Sequence, residues 1–352
     1  MLKVLRMTEE RIRSKFVGSL LGTFVGDALG MPVEGWLAED IVREFTTLDR
    51  MQNAKPWVRL YSAIYGLLAD PIHPFTKVRL GRGTYTDDTQ MMIGVAESLV
   101  ACGGFDGADM AERFVENYDP RRGYGPGARD AIWGLRHGMK WDEVGTKLFD
   151  GRGSFGNGGA MRVAPVGMLY HDKRDELRRI AELSASITHT HPVGKEGAVL
   201  QAFAVACSVQ QEPGANFDKR AFLDEVQRFV RRGDDTFPKL LAAIGLLLAE
   251  NPGASRVVDV LGNDVTVQGS FPVALHAALR HADSFPDAVV YAVSLGGDTD
   301  TIGAMTGAIA GALHGVEAIP SQWLEALENH GKGRDYVRKL AEDLYRTWHA
   351  HR

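Results

Sequence analysis

The sequence predicts an all-α fold, a single compact domain of many helices in an orthogonal bundle covering residues 1–352. Three observations carry this. Apolar residues recur with the helical period along nearly the whole chain, and clean strand-like alternation is nearly absent. No strand–helix–strand series is visible. No linker or low-complexity tract divides the 352 residues, whose 45% hydrophobic and 24% charged content suits a globular core.

A first helix covers residues 8–30, capped by Thr8 or Ser14. Gly18, Gly22, Gly26 and Gly30 recur every four residues, so they share one stripe. Gly303, Gly307, Gly311 and Gly315 repeat the pattern late in the chain. A mid-helix Gly costs up to about 1 kcal/mol against Ala. Such stripes therefore imply a backbone approached very closely. Both helices are expected at the centre; if they run antiparallel, Gly30 and Glu34 approach Asp298 and Asp300.

Residues 48–85 read as a long excursion with one short helix at 60–69. It either carries substrate choice or is a surface excursion without a role. Further helical runs are expected at 90–102, 107–117, 126–139, 160–170, 174–187, 194–210, 219–231, 237–250, 272–283, 286–294, 302–314 and 320–349, so that residues 330–352 form a C-terminal helix.

The net charge of −5 gives no electrostatic reason to expect nucleic acid or an anionic membrane as a partner. Two cysteines, Cys102 and Cys207, exclude a disulfide scaffold and a Cys-rich zinc site. Each lies in an apolar helical run and reads as a buried free thiol. The N-terminus lacks an unbroken apolar core and a cleavage site, so no signal peptide is expected. Residues 302–319 are low in charge but mostly Ala and Gly, with His314 and Glu317 among them, and read as a buried helix rather than a membrane span. A cytoplasmic monomer is the expectation.

Two acidic knots stand out. Thr86-Asp87-Asp88-Thr89 and Gly297-Asp298-Thr299-Asp300-Thr301 each head an apolar helical run. Capping needs one such residue, worth about 1 kcal/mol. Two carboxylates at one helix start repel each other, and the helix dipole offsets only part of that. Carboxylates with hydroxyls are the hard-oxygen ligands of Mg²⁺ or Mn²⁺. Two knots of one composition favour metal binding over capping.

Residues 151–162, Gly151-Arg152-Gly153-Ser154-Phe155-Gly156-Asn157-Gly158-Gly159-Ala160-Met161-Arg162, open with a match to G-x-G-x-x-G. The dinucleotide fingerprint needs a preceding strand, which is missing, and no Gly-Lys-Ser/Thr of a Walker loop follows. The loop is either a backbone cradle for phosphate ahead of a helix start near Ala160, or a tight turn. Phe149 and Phe155 flank it and either stack a base or pack in the core. His189 and His191 form His-x-His without a third His nearby; a ligand-facing donor or a structural role fits better than zinc. Residues 119–127, with Tyr124, form a plain turn or a second pocket wall.

Together these motifs resemble the ADP-ribosylglycohydrolases. The resemblance covers about residues 14–315. It rests on Gly18-Ser19-Leu20-Leu21-Gly22 with Gly26 to Glu34, on Thr86 to Thr89, on Gly153 to Arg162 and on Gly297 to Thr301, in this order. It implies an all-α fold with a dinuclear site for two Mg²⁺ or Mn²⁺ ions. Thr86, Asp87 and Asp88 would hold metal from one side, and Asp298, Asp300 and Thr301 from the other. Glu34 would sit over the metals as ligand or gate. Gly153, Ser154, Gly156 and Asn157 would hold the diphosphate and proximal groups, with Phe155 and Tyr124 nearby. Phe149 would stack on adenine and His189 would face the ligand. The spacing from Glu34 to Thr86 departs from the family pattern and bears on Glu34 and on acceptor choice.

The activity so implied is hydrolysis of an ADP-ribosyl bond on a protein or a small conjugate, with arginine-linked ADP-ribose the first choice of acceptor. Asp88 and Asp300 are the ligands expected to be indispensable, and Glu34 the acid–base or gating group. Serine-linked or O-acetyl-ADP-ribose, a modified nucleic-acid base, a nucleotide phosphohydrolase and a non-catalytic crystallin-like relative are the alternatives.

Overall fold

The computed structural model describes residues 7–53, 81–233 and 235–352. Their α-helices are α1 (Glu9–Gly30), α2 (Ala38–Phe45), α3 (Asp87–Cys102), α4 (Gly107–Asn117), α5 (Pro126–Arg136), α6 (Trp141–Lys147), α7 (Gly158–Met161), α8 (Ala164–Leu169), α9 (Arg174–Ser186), α10 (Pro192–Val209), α11 (Lys219–Phe229), α12 (Phe237–Glu250), α13 (Ala254–Leu261), α14 (Val267–Arg280), α15 (Phe285–Ser294), α16 (Thr299–His314), α17 (Ser321–Ala326) and α18 (Arg334–Ala350). Among the described residues, β pairing is confined to two isolated bridges, Leu37 with Gly296 and Gly156 with Thr266. The all-α expectation holds.

The two glycine stripes set the centre. Gly18, Gly22, Gly26 and Gly30 of α1 face Gly311, Gly307, Gly303 and Thr299 of α16, so the helices run antiparallel. A Cβ on Gly18 would fall 2.5 Å from the Gly311 carbonyl oxygen, so the backbones touch with no side chain between them. Every residue of α1 from Ser14 onward, and all of α16, is buried. The stretch Glu9–Val33 is long and apolar enough to cross a membrane by length and composition, yet its apolar window is wholly buried within the protein. Helices α10, α14 and α15 pack around α16, and α18 packs on α1. This pairing brings the end of α1 to the start of α16: Thr299 Oγ1 donates to the Gly30 carbonyl at 2.8 Å. Beyond it, Gly35 N donates to Gly297 O at 2.8 Å and Gly297 N to Trp36 O at 2.9 Å.

At the other end of α1, Lys15 is fully buried and donates to the Gln211 and Ser208 carbonyls that close α10. Burial pulls its pKa down to about 7, against the pull of Glu212 upward, while Arg11 adds to the lowering. The folded protein then holds fewer protons than the unfolded chain between pH 7 and 10.5, so Lys15 makes stability rise with pH across that window. Its cost is fully present below pH 7. In Lys15→Met this rise in stability, roughly 4–5 kcal/mol over the window at about 1.4 kcal/mol per pKa unit, should be absent. Urea denaturation of both proteins from pH 7 to 10 checks it; parallel curves would disprove it.

Several boundaries differ from expectation. Thr8 caps α1, accepting from Arg11 N at 3.2 Å, whereas Ser14 lies inside the helix and donates to Glu317. The run at 160–170 breaks into α7 and α8 at Arg162, and the run at 320–349 into α17 and α18, because Leu327 is extended and Gly331 has positive φ. The expected C-terminal helix 330–352 is α18. Helices α2, α6 and α13 were not expected. Gly315 ends α16 with φ +76 rather than continuing its stripe. Cys207 is buried, but Cys102, at the end of α3, is exposed. The expected helix at 60–69 lies outside the described residues.

Candidate metal centre and ligand cleft

Each acidic knot is the first turn of a helix. Thr86 is the N-cap of α3, accepting from Asp88 N at 3.3 Å, so capping is done by the hydroxyl and leaves both carboxylates to other tasks. Asp298 is the N-cap residue of α16 but its side chain makes no capping bond. Asn157 Nδ2 instead donates to its Oδ2 at 2.5 Å. Capping therefore accounts for Thr86 but not for the carboxylates of either knot. Gly296 and Gly297 lead in with φ of +73 and +75, and Asp298 N donates to Asn263 O at 2.8 Å.

Glu34, Asp298 and Asp300 each present a carboxylate oxygen within 4.8 Å of the others. Asp87, Asp88 and Thr301 line the same cleft, of about 280 Å³. Acid groups from residues 34, 87–88 and 298–300 thus share one space. Burial first, then the charges of Asp300, Asp27, Asp87 and Asp298, push the Asp88 carboxyl well above its usual range. Its Oδ2 accepts from Thr86 Oγ1 at 3.1 Å, whereas Oδ1 is buried without a hydrogen bond. A buried carboxylate oxygen left without a donor costs a few kcal/mol. A divalent cation would satisfy that oxygen and neutralise its neighbours, so these residues fit a hard metal ion.

Asp27 supports the first knot and was not singled out from the sequence. It is fully buried and accepts from Thr86 N, Thr86 Oγ1, Thr89 N and Thr89 Oγ1 at 2.6–3.1 Å. Burial, and next the charge of Asp300, hold its pKa up at about 7 against those donors. The available signal was an acid inside an otherwise apolar opening helix.

The opposite wall is the glycine loop. Ser154, Gly156, Asn157 and Gly158 line the cleft, with Phe149 and His189. Ser154 Oγ accepts from Gly156 N at 3.1 Å, and Asn157 N donates to Val265 O at 3.0 Å. His189 is buried against Gly158, its Nδ1 2.7 Å from Thr188 Oγ1. Burial, then Arg162, lower its pKa to about 3, so the ring is neutral near pH 7. Arg162 lies fully buried behind the loop, donating to Ser184 O at 2.9 Å with its guanidinium over Phe114. A second cavity of about 620 Å³ adjoins the cleft and is lined by Phe149, Gly153, Ser154, Phe155, Gly156 and Val265, among others.

Two expected residues, Tyr124 and Thr86, line neither the cleft nor the second cavity. Tyr124 does not line the cleft: it is buried and its hydroxyl donates to Gln90 Oε1 at 2.8 Å. Its neighbours Gly123, Gly125, Pro126 and Gly127 form that wall instead. Thr86 is fully buried, its one hydroxyl proton shared between Asp27 at 2.9 Å and Asp88 at 3.1 Å, and it does not line the cleft. His191 caps α10, accepting from Val193 N at 3.2 Å, and lines the second cavity rather than the acid cleft. Met91 and Val265 line the cleft without having been expected to.

The ADP-ribosylglycohydrolase family profile matches residues 8–352. The chain is 34% identical over 369 residues to the ADP-ribosylhydrolase ARH3 of Bos taurus, covering 96% of this chain and 94% of that protein. The ARH3 of Homo sapiens gives the same identity and coverage. An uncharacterized protein of Archaeoglobus fulgidus is 34% identical over 338 residues, covering 95% of this chain and 97% of that one. A solved structure described as an ADP-ribosylglycohydrolase-related protein complex superposes with TM-score 0.71 at 29% identity, covering 96% of this chain and 99% of that chain.

Proposed function

The chain belongs to the ADP-ribosylglycohydrolase family and is an ADP-ribosylhydrolase, and from that premise we propose that it is metal-dependent and releases ADP-ribose from an arginine-linked acceptor. The observation that carries the metal dependence is the meeting of Glu34, Asp298 and Asp300 with Asp87 and Asp88 in one cleft faced by the glycine loop.

The chemistry a bound pair of Mg²⁺ or Mn²⁺ ions supplies is Lewis-acid activation of a water and orientation of the distal ribose hydroxyls. Asp87, Asp88 and Asp298, Asp300, Thr301 would hold those ions. Asn157 fixes Asp298, and Asp27 with Thr86 fixes Asp88, so the ligands are held in place before substrate arrives. The Ser154–Gly158 loop, in which Gly156 N is held by Ser154 Oγ and Asn157 N by Val265 O, offers its remaining backbone N–H groups to the diphosphate, and neutral His189 adds a hydrogen-bonding ring without a charge of its own. Phe149, about half exposed, offers a face for adenine. Glu34, partly buried at the rim of the acid group, accepts the proton of the attacking water and stabilises the oxocarbenium-like centre at C1″. The C1″–N bond breaks with its electron pair on the guanidine, which takes up the proton that Glu34 removes from the attacking water and departs as a guanidinium cation; the surrounding carboxylates favour that cation, which supports arginine as the acceptor.

Incubation with arginine-linked, serine-linked and O-acetyl-ADP-ribose, each with Mg²⁺, Mn²⁺ or chelator, tests both parts. Free ADP-ribose released fastest from the arginine substrate, and only with metal, is the expected result. Faster release from the serine or acetyl substrate would replace the acceptor. AMP as product would replace the glycosidic reaction by phosphohydrolysis.

A further inference from the structure

Resting on the metal-dependent reading above, we propose that Arg122 is a positioning residue for the reaction: it locks the first acidic knot and the cleft wall at residues 123–127 into one unit, and so sets the affinity of the centre for its divalent ions. Both segments face the cleft. Asp87 and Asp88 line it from the start of α3, and Gly123, Gly125, Pro126 and Gly127 line it from the loop and first turn of α5.

Arg122 directly precedes that wall, and its guanidinium reaches the residue that precedes Thr86. Nη1 donates to Tyr85 O at 2.8 Å and to Glu328 Oε1 at 2.5 Å, and Nη2 donates to Glu328 Oε2 at 3.2 Å. The guanidinium also lies 3.8 Å from the centroid of the Tyr85 ring. Tyr85 N donates to the same Glu328 Oε1 at 3.1 Å. One carboxylate thus holds both the main chain entering the knot and the side chain leading into the wall. Glu328 is itself fixed, since its N–H donates to Gly83 O at 2.9 Å and a Cβ on Gly83 would collide with the Ala326 carbonyl. The Arg122 and Glu328 side chains are 13% and 5% exposed, so salt screens this pair little.

A second tie lies just beyond the knot. Gln90 Oε1 accepts from Asp119 N at 3.0 Å and from the Tyr124 hydroxyl at 2.8 Å. The wall is therefore fastened to the chain on both sides of Thr86–Thr89, at Tyr85 and at Gln90. Asp88 Oδ2 accepts from the Thr86 hydroxyl, so a shift of the main chain at Tyr85 is passed on to that carboxylate. Groups that orient metal ligands in this way typically contribute about 10–100-fold to metal affinity. The planar fork of a guanidinium meets both carboxylate oxygens while one nitrogen still reaches Tyr85 O. A lysine keeps the charge but cannot hold that plane.

The test uses Arg122→Lys, because Arg122→Ala would strand the buried Glu328 carboxylate without its partner. Arg11→Lys is the control: Arg11 makes the same kind of contact at the far end of α1, forked onto Glu212 and donating to His314 O at 2.8 Å. Mn²⁺ binding is read from the electron paramagnetic resonance of the free ion, beside Tm in chelator. Both variants should lose Tm. Arg122→Lys should weaken Mn²⁺ binding by about tenfold or more, Gln90→Met should weaken it in the same direction, and Arg11→Lys should leave it unchanged. Turnover of ADP-ribosyl-arginine that Arg122→Lys loses at limiting Mn²⁺ should return at saturating Mn²⁺. Parental Mn²⁺ affinity in Arg122→Lys, an equal loss in Arg11→Lys, or turnover that stays low at saturating Mn²⁺ would overturn the positioning role alone. A parent protein that binds no Mn²⁺ overturns the metal-dependent reading and the positioning role with it.

Discussion

Asp300→Asn should abolish turnover, with kcat/KM down by about a thousandfold or more, or ~4 kcal/mol of transition-state stabilisation. The metal-free variant should nevertheless be at least as heat-stable as the parent. Asp300 is 1% exposed, and one of its oxygens lies within 4.8 Å of Glu34 and Asp298 oxygens. Its charge helps to push up the carboxyls of Asp88 and Asp27. Asn keeps the shape and the oxygen that accepts from Thr301 N at 3.0 Å, but removes the charge. Without metal that relieves repulsion among buried acids. With metal it removes a ligand. A ligand that binds only the folded state adds about 2.7 kcal/mol at a hundredfold excess over Kd. The rise in Tm produced by Mg²⁺ or Mn²⁺ in the parent should therefore shrink or vanish in the variant. Thermal denaturation with chelator and with each ion, beside turnover, reads both effects. Near-normal activity with a full metal-induced rise in Tm would remove Asp300 from the centre.

The parts of this site that were legible in the sequence are those whose chemistry is local. Each knot places carboxylates and hydroxyls within four or five consecutive residues, and each glycine stripe repeats at the helical period. Their pairing across the chain followed from the stripes, because glycines along one line have no use in a solitary helix. Asp27 was not legible because its partners lie 59 and 62 residues away and nothing near it announces them. Tyr124 was misplaced for a related reason. A Gly-rich loop shows that a turn exists but not which side chains face inward, and here the glycines line the cleft while the ring turns to Gln90. Helices α2, α6 and α13 are seven or eight residues long, about two turns, too few for an apolar period to declare itself. The break between α17 and α18 carries its own signal, since residues 328–335 hold Gly331 and Gly333 and no apolar residue.

Gly22→Ala should destabilise the protein, although the same change in the middle of an ordinary helix stabilises it. By propensity alone, replacing a mid-helix Gly with Ala gains up to about 1 kcal/mol. Gly245, inside α12, is such a position: an added Cβ would meet Leu223 at 3.4 Å and Arg220 at 3.7 Å, ordinary contacts with side chains that move. Gly245→Ala is therefore expected to raise Tm slightly. At Gly22 the added carbon would lie 2.9 Å from the Gly307 carbonyl carbon and closer still to its oxygen. Those are backbone atoms of a helix buried along its whole length, so relief requires α1 and α16 to separate. Overpacking of a close-packed core costs about 1–3 kcal/mol, and more when backbone must shift. Gly22→Leu should cost more than Gly22→Ala and leave little folded protein. Separation of the two helices also moves Glu34 away from Asp298 and Asp300, since Thr299 and Gly30 close the same seam. Gly22→Ala should thus weaken divalent binding though Gly22 lies two turns from any ligand, while Gly245→Ala should not. Denaturation and metal titration of the two Ala variants side by side decide it: equal, small gains in stability would mean that the glycine seam is not where α1 and α16 meet.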